Sequence, residues 1–210
     1  MKKEIPSDIF ERAVFLTQPG RPILCTTRNE DGSNHVAPFT WFNPISFKPP
    51  QMALALLNTP QKKQHTLINI ERTGEFIANL PDMELTEQLV LSSYLVLKGE
   101  NKFDRSGLTP HPGKEVDVVA IQECRSHVEC KVYDIIKTGD HSLVLADVVA
   151  AYYDEAAFTK NLMIDLKNYK PMLHLQNFCS DPKDPWNLNP GQVHVFMEPG
   201  GAYVADVPYP

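Results

Sequence analysis

The chain lacks a surplus of positive charge: its 20 lysines and arginines stand against 26 aspartates and glutamates, a formal net charge of −6. A nucleic-acid backbone finds no basic footprint here, so no nucleic acid is expected as a partner. Long apolar runs are missing too. Stretches such as residues 52–57 stop far short of the roughly 20 residues a membrane span needs, and no membrane partner is expected. Lys2 and Lys3 are not followed by an apolar run, so the start does not read as a secretory leader, and a cytoplasmic location is expected. Cysteine is sparse, and without an export signal Cys25, Cys124, Cys130 and Cys179 read as free thiols rather than a disulfide framework. Cys124 and Cys130 flank His127, but on a strand the two cysteines face one side and the histidine the other, so no metal site is expected. His174 and Cys179 lie close in sequence with nothing to orient one on the other, which leaves a thiol nucleophile unsupported. Gly-x-Ser-x-Gly, the Walker loop and Gly-x-Gly-x-x-Gly are all absent, and with them the common hydrolase, nucleotidase and dinucleotide-fold signatures.

What the chain has in quantity is proline, 18 residues or about 9% against a usual ~5%, which argues for many loops and against long helices. Hydrophobic residues at 42% and charged residues at 22% are ordinary globular values. One domain over residues 1–175 is expected. Residues 176–210, dense in Pro, Asn and Gly and without period, are expected to form an irregular tail packing on the same domain or on a partner subunit. Residues 23–29 and 34–42 are β-like runs flanking an Asp31-Gly32 hairpin signal, and Pro38 makes the second an edge, bulged or broken strand. Residues 52–57 read as a strand buried on both faces. A helix is expected to start with Thr59 as N-cap and Pro60 at its first position and to end by Gly74. A strand over 75–80, a helix over 85–97, a polar loop over 101–113 and a long hairpin of 116–136 with 142–153 complete the pattern. Short strands joined by Gly, Asp and Pro turns point to a mainly β fold, a closed or nearly closed antiparallel barrel with short helices.

Two segments carry candidate chemistry. Lys62 and Lys63 fall in the first turn of the expected helix, where the dipole favours acidic residues, so an anion is expected nearby. Free helix amides, two ammonium groups, the hydroxyls of Thr59 and Thr66 and the ring of His65 make a possible phosphate cradle; a solvated lysine face is the competing reading. In the second segment, Ala37-Pro38-Phe39-Thr40-Trp41-Phe42, strand alternation puts Phe39 and Trp41 on one side and Thr40 and Phe42 on the other. Proline frees main-chain groups there, and aromatic faces beside such groups suit a flat heteroaromatic ring. An ordinary aromatic core strand is the alternative.

Taken together, these residues resemble the flavin reductase-like family, the flavoredoxin type of FMN-binding split β-barrel with Greek-key connections. The resemblance covers roughly residues 10–175 and rests on Asp31 to Phe42 as a block and on Pro49-Pro50. It continues through His65-Thr66-Leu67-Ile68-Asn69-Ile70, Lys102-Phe103, Ser106-Gly107-Leu108-Thr109 and Gly139-Asp140-His141. It implies FMN with its ring along Pro38, Phe39, Thr40, Trp41 and Phe42. Its phosphate and ribityl chain would lie at Asn58, Thr59, Lys63, His65 and Thr66, with Lys102 and Phe103 contributing from a helical insertion. His141 matches a position near nicotinamide and flavin. The family usually has Lys-Asp-Thr where this chain reads Gln64-His65-Thr66, which leaves the phosphate donor open. NADH or NADPH as co-substrate, a small-molecule or protein electron acceptor, and a homodimer are implied in the same way. A non-enzymatic flavin-binding protein and a barrel for another phosphorylated ring such as pyridoxal phosphate are the alternatives.

Overall fold

Gly32 takes a positive φ of +82°, and the Asp31 carboxylate accepts from the amide and hydroxyl of Ser33 at 2.9 and 2.6 Å. That turn folds β1 (Ile23–Arg28) back on β2 (Asn34–Phe39) as an antiparallel hairpin. The computed structural model describes residues 2–94 and 100–174, together with the backbone of 175, 180–181, 184–188, 194–198 and 201–205. A 3-10 segment, Ser7–Thr17, precedes the hairpin. After it come β3 (Phe42–Phe47), β4 (Pro50–Leu57), α1 (His65–Thr73), β5 (Glu75–Leu80), α2 (Thr86–Ser93) and α3 (Lys102–Ser106). The short pair β6 (Pro110–Pro112) and β7 (Val119–Ile121) leads into the long β8 (Ser126–Thr138) and β9 (His141–Tyr153).

Seven strands form one antiparallel sheet in the order β2-β1-β5-β8-β9-β4-β3. The sheet does not close by hydrogen bonds, but its two edge strands are consecutive in sequence. Only Thr40 and Trp41 separate β2 from β3, and three virtual bonds of 3.8 Å hold Phe39 and Phe42 within about 11 Å. A sheet whose edges are so tethered must curl into a split barrel. The β8–β9 hairpin turns through Gly139 at φ +45° and serves both halves: residues 126–131 pair with β5, and residues 141–147 pair with β4. Register shifts at Glu129/Cys130 and Val132/Asp134 bend the ribbon between the two.

Two cores result. Inside the barrel, Ile23, Leu54, Leu56, Phe76, Cys130 and Val144 pack with Leu67 and Ile70 of α1. Outside β1 and β2, Leu24, Val36 and Ile121 are covered by Leu89 and Val90 of α2, Phe103 of α3 and Met172.

Several expectations are corrected. The run 34–42 is two strands, broken at Thr40-Trp41 because the chain there leaves one sheet edge for the other. Helix α1 starts at His65, not at Pro60, since Thr59 closes a separate turn: its amide and hydroxyl donate to Lys62 O at 2.9 and 3.1 Å. Strand β4 is buried on both faces as expected, Leu54 and Leu56 on one and Ala53 and Leu57 on the other, with Met52 and Ala55 half-buried. The loop 101–113 contains α3 and β6, and the segment 116–136 divides into β7 and β8. Helix α2 ends at Ser93, and residues 95–97 of the helix expected there lie outside the described residues. In the tail, β10 (Leu173–Leu175), β13 (His194–Glu198) and β14 (Gly201–Ala205) pair in a small sheet, and β11 (Ser180–Asp181) pairs with β12 (Asp184–Leu188). Among the described residues Cys25, Cys124 and Cys130 are free and buried; Cys179 lies outside them. No helix of the described residues is long and apolar enough to cross a membrane.

Candidate functional site

The connection between the sheet edges puts a half-exposed aromatic ring beside the β8–β9 turn. Trp41 is 42% exposed, and its ring lies 4.9 Å from that of His141 at an interplanar angle of 33°. His141 Nδ1 donates to Asp140 Oδ1 at 2.7 Å, which fixes the ring's direction. Asn58 closes this end: its amide donates to Asp140 O and its side-chain amide to Ser142 Oγ, both at 2.8 Å, while Lys137 Nζ donates to its carbonyl. An open pocket of about 570 Å3 is lined here by residues 58–61, Lys137, Gly139 and Asp140. Thr40 meets Gly20 so closely that a methyl group at residue 20 would lie 2.8 Å from Thr40 Cβ. Gly20 itself is held by paired backbone bonds with His174.

A second cluster gathers where β2 meets α1 and α3. His35 is buried, with its Nε2 3.2 Å from Thr66 Oγ1 and its ring 4.9 Å from that of His65. Burial and the charges of Lys102 and His65 push its pKa down to about 3, so the ring is neutral. Lys102 is held in largely buried surroundings that lower its pKa to about 8, with nearby Arg105 adding to the effect. Its Nζ donates to Ser92 O at 2.8 Å, and among the described residues no carboxylate pairs with it. The amides of His65 and Thr66, in the first turn of α1, find no acceptor among the described residues. Open helix amides and an ammonium without a carboxylate partner are each groups that an anion satisfies.

The residues expected from sequence therefore divide. Trp41, Asn58, Thr59 and His141 stand together at one end, and His65, Thr66 and Lys102 at the other. The backbone of β2 from His35 to Phe39 spans about 13 Å alongside the site. Pro38 lies half-buried on the edge strand, opposite Leu24, and Phe39 packs against the barrel core. Phe42 is in that core, edge-on to Phe76 at 6.4 Å, and Phe103 is in the outer core. Neither offers a ring face to a ligand. Lys63 precedes α1 rather than lying in its first turn, and its ammonium pairs with Glu71 Oε2 at 2.5 Å. His35 was not singled out by the sequence reading. The signal for it was its place two residues before Ala37 on the side of β2 that faces α1.

The residues present suit a phosphorylated aromatic ligand: a half-exposed indole face, open amides at the start of α1, and an ammonium that pairs with no carboxylate among the described residues. Comparison with known proteins points the same way. The family model described as a flavin reductase like domain matches residues 17–176. An uncharacterized protein of Aquifex aeolicus (strain VF5) is 26% identical over 172 residues, covering 81% of this chain and 88% of its own. Among solved structures, the flavoredoxin of Desulfovibrio vulgaris (Miyazaki F) superposes with a TM-score of 0.69 at 22% identity, over 82% of this chain and 87% of that one. An NADH:FAD oxidoreductase of Streptomyces globisporus C-1027 does so with a TM-score of 0.66 at 18% identity, over 82% and 92%.

Proposed function

Because the chain belongs to the flavin reductase-like domain family, we propose that it is an FMN-binding oxidoreductase that uses NADH or NADPH and passes electrons to a small-molecule or protein acceptor. The observation that carries this reading is the pair of open amides at the start of α1, together with Lys102, a half-buried ammonium whose only hydrogen-bond partner among the described residues is a carbonyl. A phosphate there completes the set. When bound, the flavin would supply the hydride chemistry, and the protein would supply binding, orientation and electrostatics. Lys102 and the amides of His65 and Thr66 would hold the phosphate. Trp41 would cover one ring face, and the outer edge of β2 would face the ring's polar edge. His141, oriented by Asp140, would border the nicotinamide position. A cytoplasmic location and a homodimer belong to the same reading. The free buried cysteines support the first, and the exposed edge strand β3, with Phe47 91% and Ile45 49% exposed, supports the second.

The test is a visible spectrum of the purified protein, a titration with FMN, and then addition of NADH or NADPH without oxygen. Binding of FMN followed by bleaching of its bands supports the reductase. Tight binding without bleaching leaves a flavin-binding protein, and no binding overturns the reading.

A further inference from the structure

His141 opens β9 opposite Leu57 of β4, and the turn before it is clamped in place, because Asp140 O accepts from the amide of Asn58 at 2.8 Å. The imidazole is then held twice. Its Nδ1 lies 2.7 Å from Asp140 Oδ1, and its face lies against the Trp41 indole with ring centroids 4.9 Å apart. An ionised carboxylate only accepts, so Nδ1 carries the proton, and in the neutral ring Nε2 is left as a bare lone pair. Among the described residues Nε2 has no hydrogen-bond partner. The His141 side chain is 20% exposed and Trp41 beside it 42%, so a ligand can reach both. Lys137, the cation lining the adjoining pocket, is engaged by Asn58 O. An acceptor fixed beside an aromatic face suits a flat ring that carries an N–H donor on its rim. A carboxylate on that rim would set lone pair against lone pair, next to the charge of Asp140.

We infer that Asp140 is a positioning residue and His141 a specificity-determining one for the nicotinamide co-substrate: Asp140 fixes the Nδ1–H tautomer, and Nε2 accepts an N–H of the carboxamide, so that nicotinamide is taken and nicotinic acid refused. Naming the ring as nicotinamide rests on the reductase reading, whereas the preference for an amide over an acid follows from the tautomer.

The experiment measures binding of NAD+ and of its nicotinic acid analogue, in which the carboxamide is a carboxylate, to the full-length protein with and without FMN. Both are titrated at about pH 8.5, above the ordinary range of histidine protonation. Wild type is expected to bind NAD+ about tenfold to a hundredfold more tightly, the scale of one hydrogen bond made against one acceptor left facing a carboxylate. Asp140→Asn releases the other tautomer, and the ratio is expected to fall to within about threefold. Nitrogen-15 NMR of the ligand-free protein should show the His141 proton on Nδ1 in wild type and shared between the two nitrogens in that variant. His141→Phe keeps a ring against Trp41 without a nitrogen. It is expected to erase the preference by weakening NAD+ alone, and it covers the case of an asparagine variant that disturbs the turn. A wild-type ratio near one, a ratio that survives both substitutions, a wild-type proton on Nε2, or failure to bind either dinucleotide overturns the inference. A protein that tells the two dinucleotides apart but binds no FMN sinks the reductase reading alone, whereas FMN bleached by NADH with a ratio near one sinks the inference alone.

Discussion

At the scale of single residues, Lys102 makes the most discriminating prediction because its proton has opposite effects on binding and on folding. Its folded pKa is lowered from 10.5 to about 8 by burial. Between those values the unfolded chain binds the extra proton and the folded chain does not, so Lys102's contribution makes stability rise with pH across that window. Phosphate affinity runs the other way, since the ammonium is lost there. FMN affinity measured by fluorescence quenching should therefore be flat below pH 8 and fall above it, while chemical denaturation shows no loss of stability over the same range. Lys102→Met should weaken FMN binding by about tenfold or more at neutral pH and remove the decline. The sequence pointed to this lysine only through family resemblance. Its half-burial depends on α3 meeting β2, which no local pattern encodes, whereas Lys63 is taken up by Glu71 of the helix it precedes.

At the scale of elements, Asn79 of β5 ties three segments together. Its side-chain amide donates to Leu24 O at 2.8 Å and to Thr26 Oγ1 at 3.1 Å on β1, and its Oδ1 accepts from Ile121 N at 2.8 Å and His127 Nδ1 at 2.9 Å. Asn79→Leu would leave these groups buried and unsatisfied, and should cost about 3 kcal/mol or more in urea denaturation. Such cross-strand polar ties cannot be read from sequence, whereas the hairpins could be, because Asp31-Gly32 and Gly139-Asp140 state their turns locally. The start of α1 was misread for a physical reason. Thr59 and Pro60 carry the chemistry of a helix cap, but a hydroxyl that bonds a backbone group three residues on closes an isolated turn equally well. The real start is set by Gln64, which accepts from Leu57 N through its side chain at 2.7 Å and donates its own amide to Leu57 O at 3.1 Å. The aromatic strand was misread because alternation assumes one continuous strand, and the break at Thr40-Trp41 separates Trp41 from Phe39.

At the scale of the whole molecule, the open edge is the feature with the clearest outcome. Among the described residues strand β3 pairs with β4 alone, and it presents Phe47 and Ile45 to solvent. If the homodimer forms across this edge, Phe47→Lys should shift the sedimentation coefficient from dimer to monomer without lowering the melting temperature of the monomer, as a buried core change would.

The Gly20–His174 bridge also gives the molecule a long-range coupling. It clasps together residues near the two ends of the family domain, and Gly20 in turn abuts Thr40. Opening that clasp and occupying the site should therefore oppose each other with equal free energy in both directions. Saturating FMN should slow deuterium exchange at the amides of Gly20 and His174, far from any phosphate. Truncation before His174 should raise the FMN dissociation constant by the same factor as that protection.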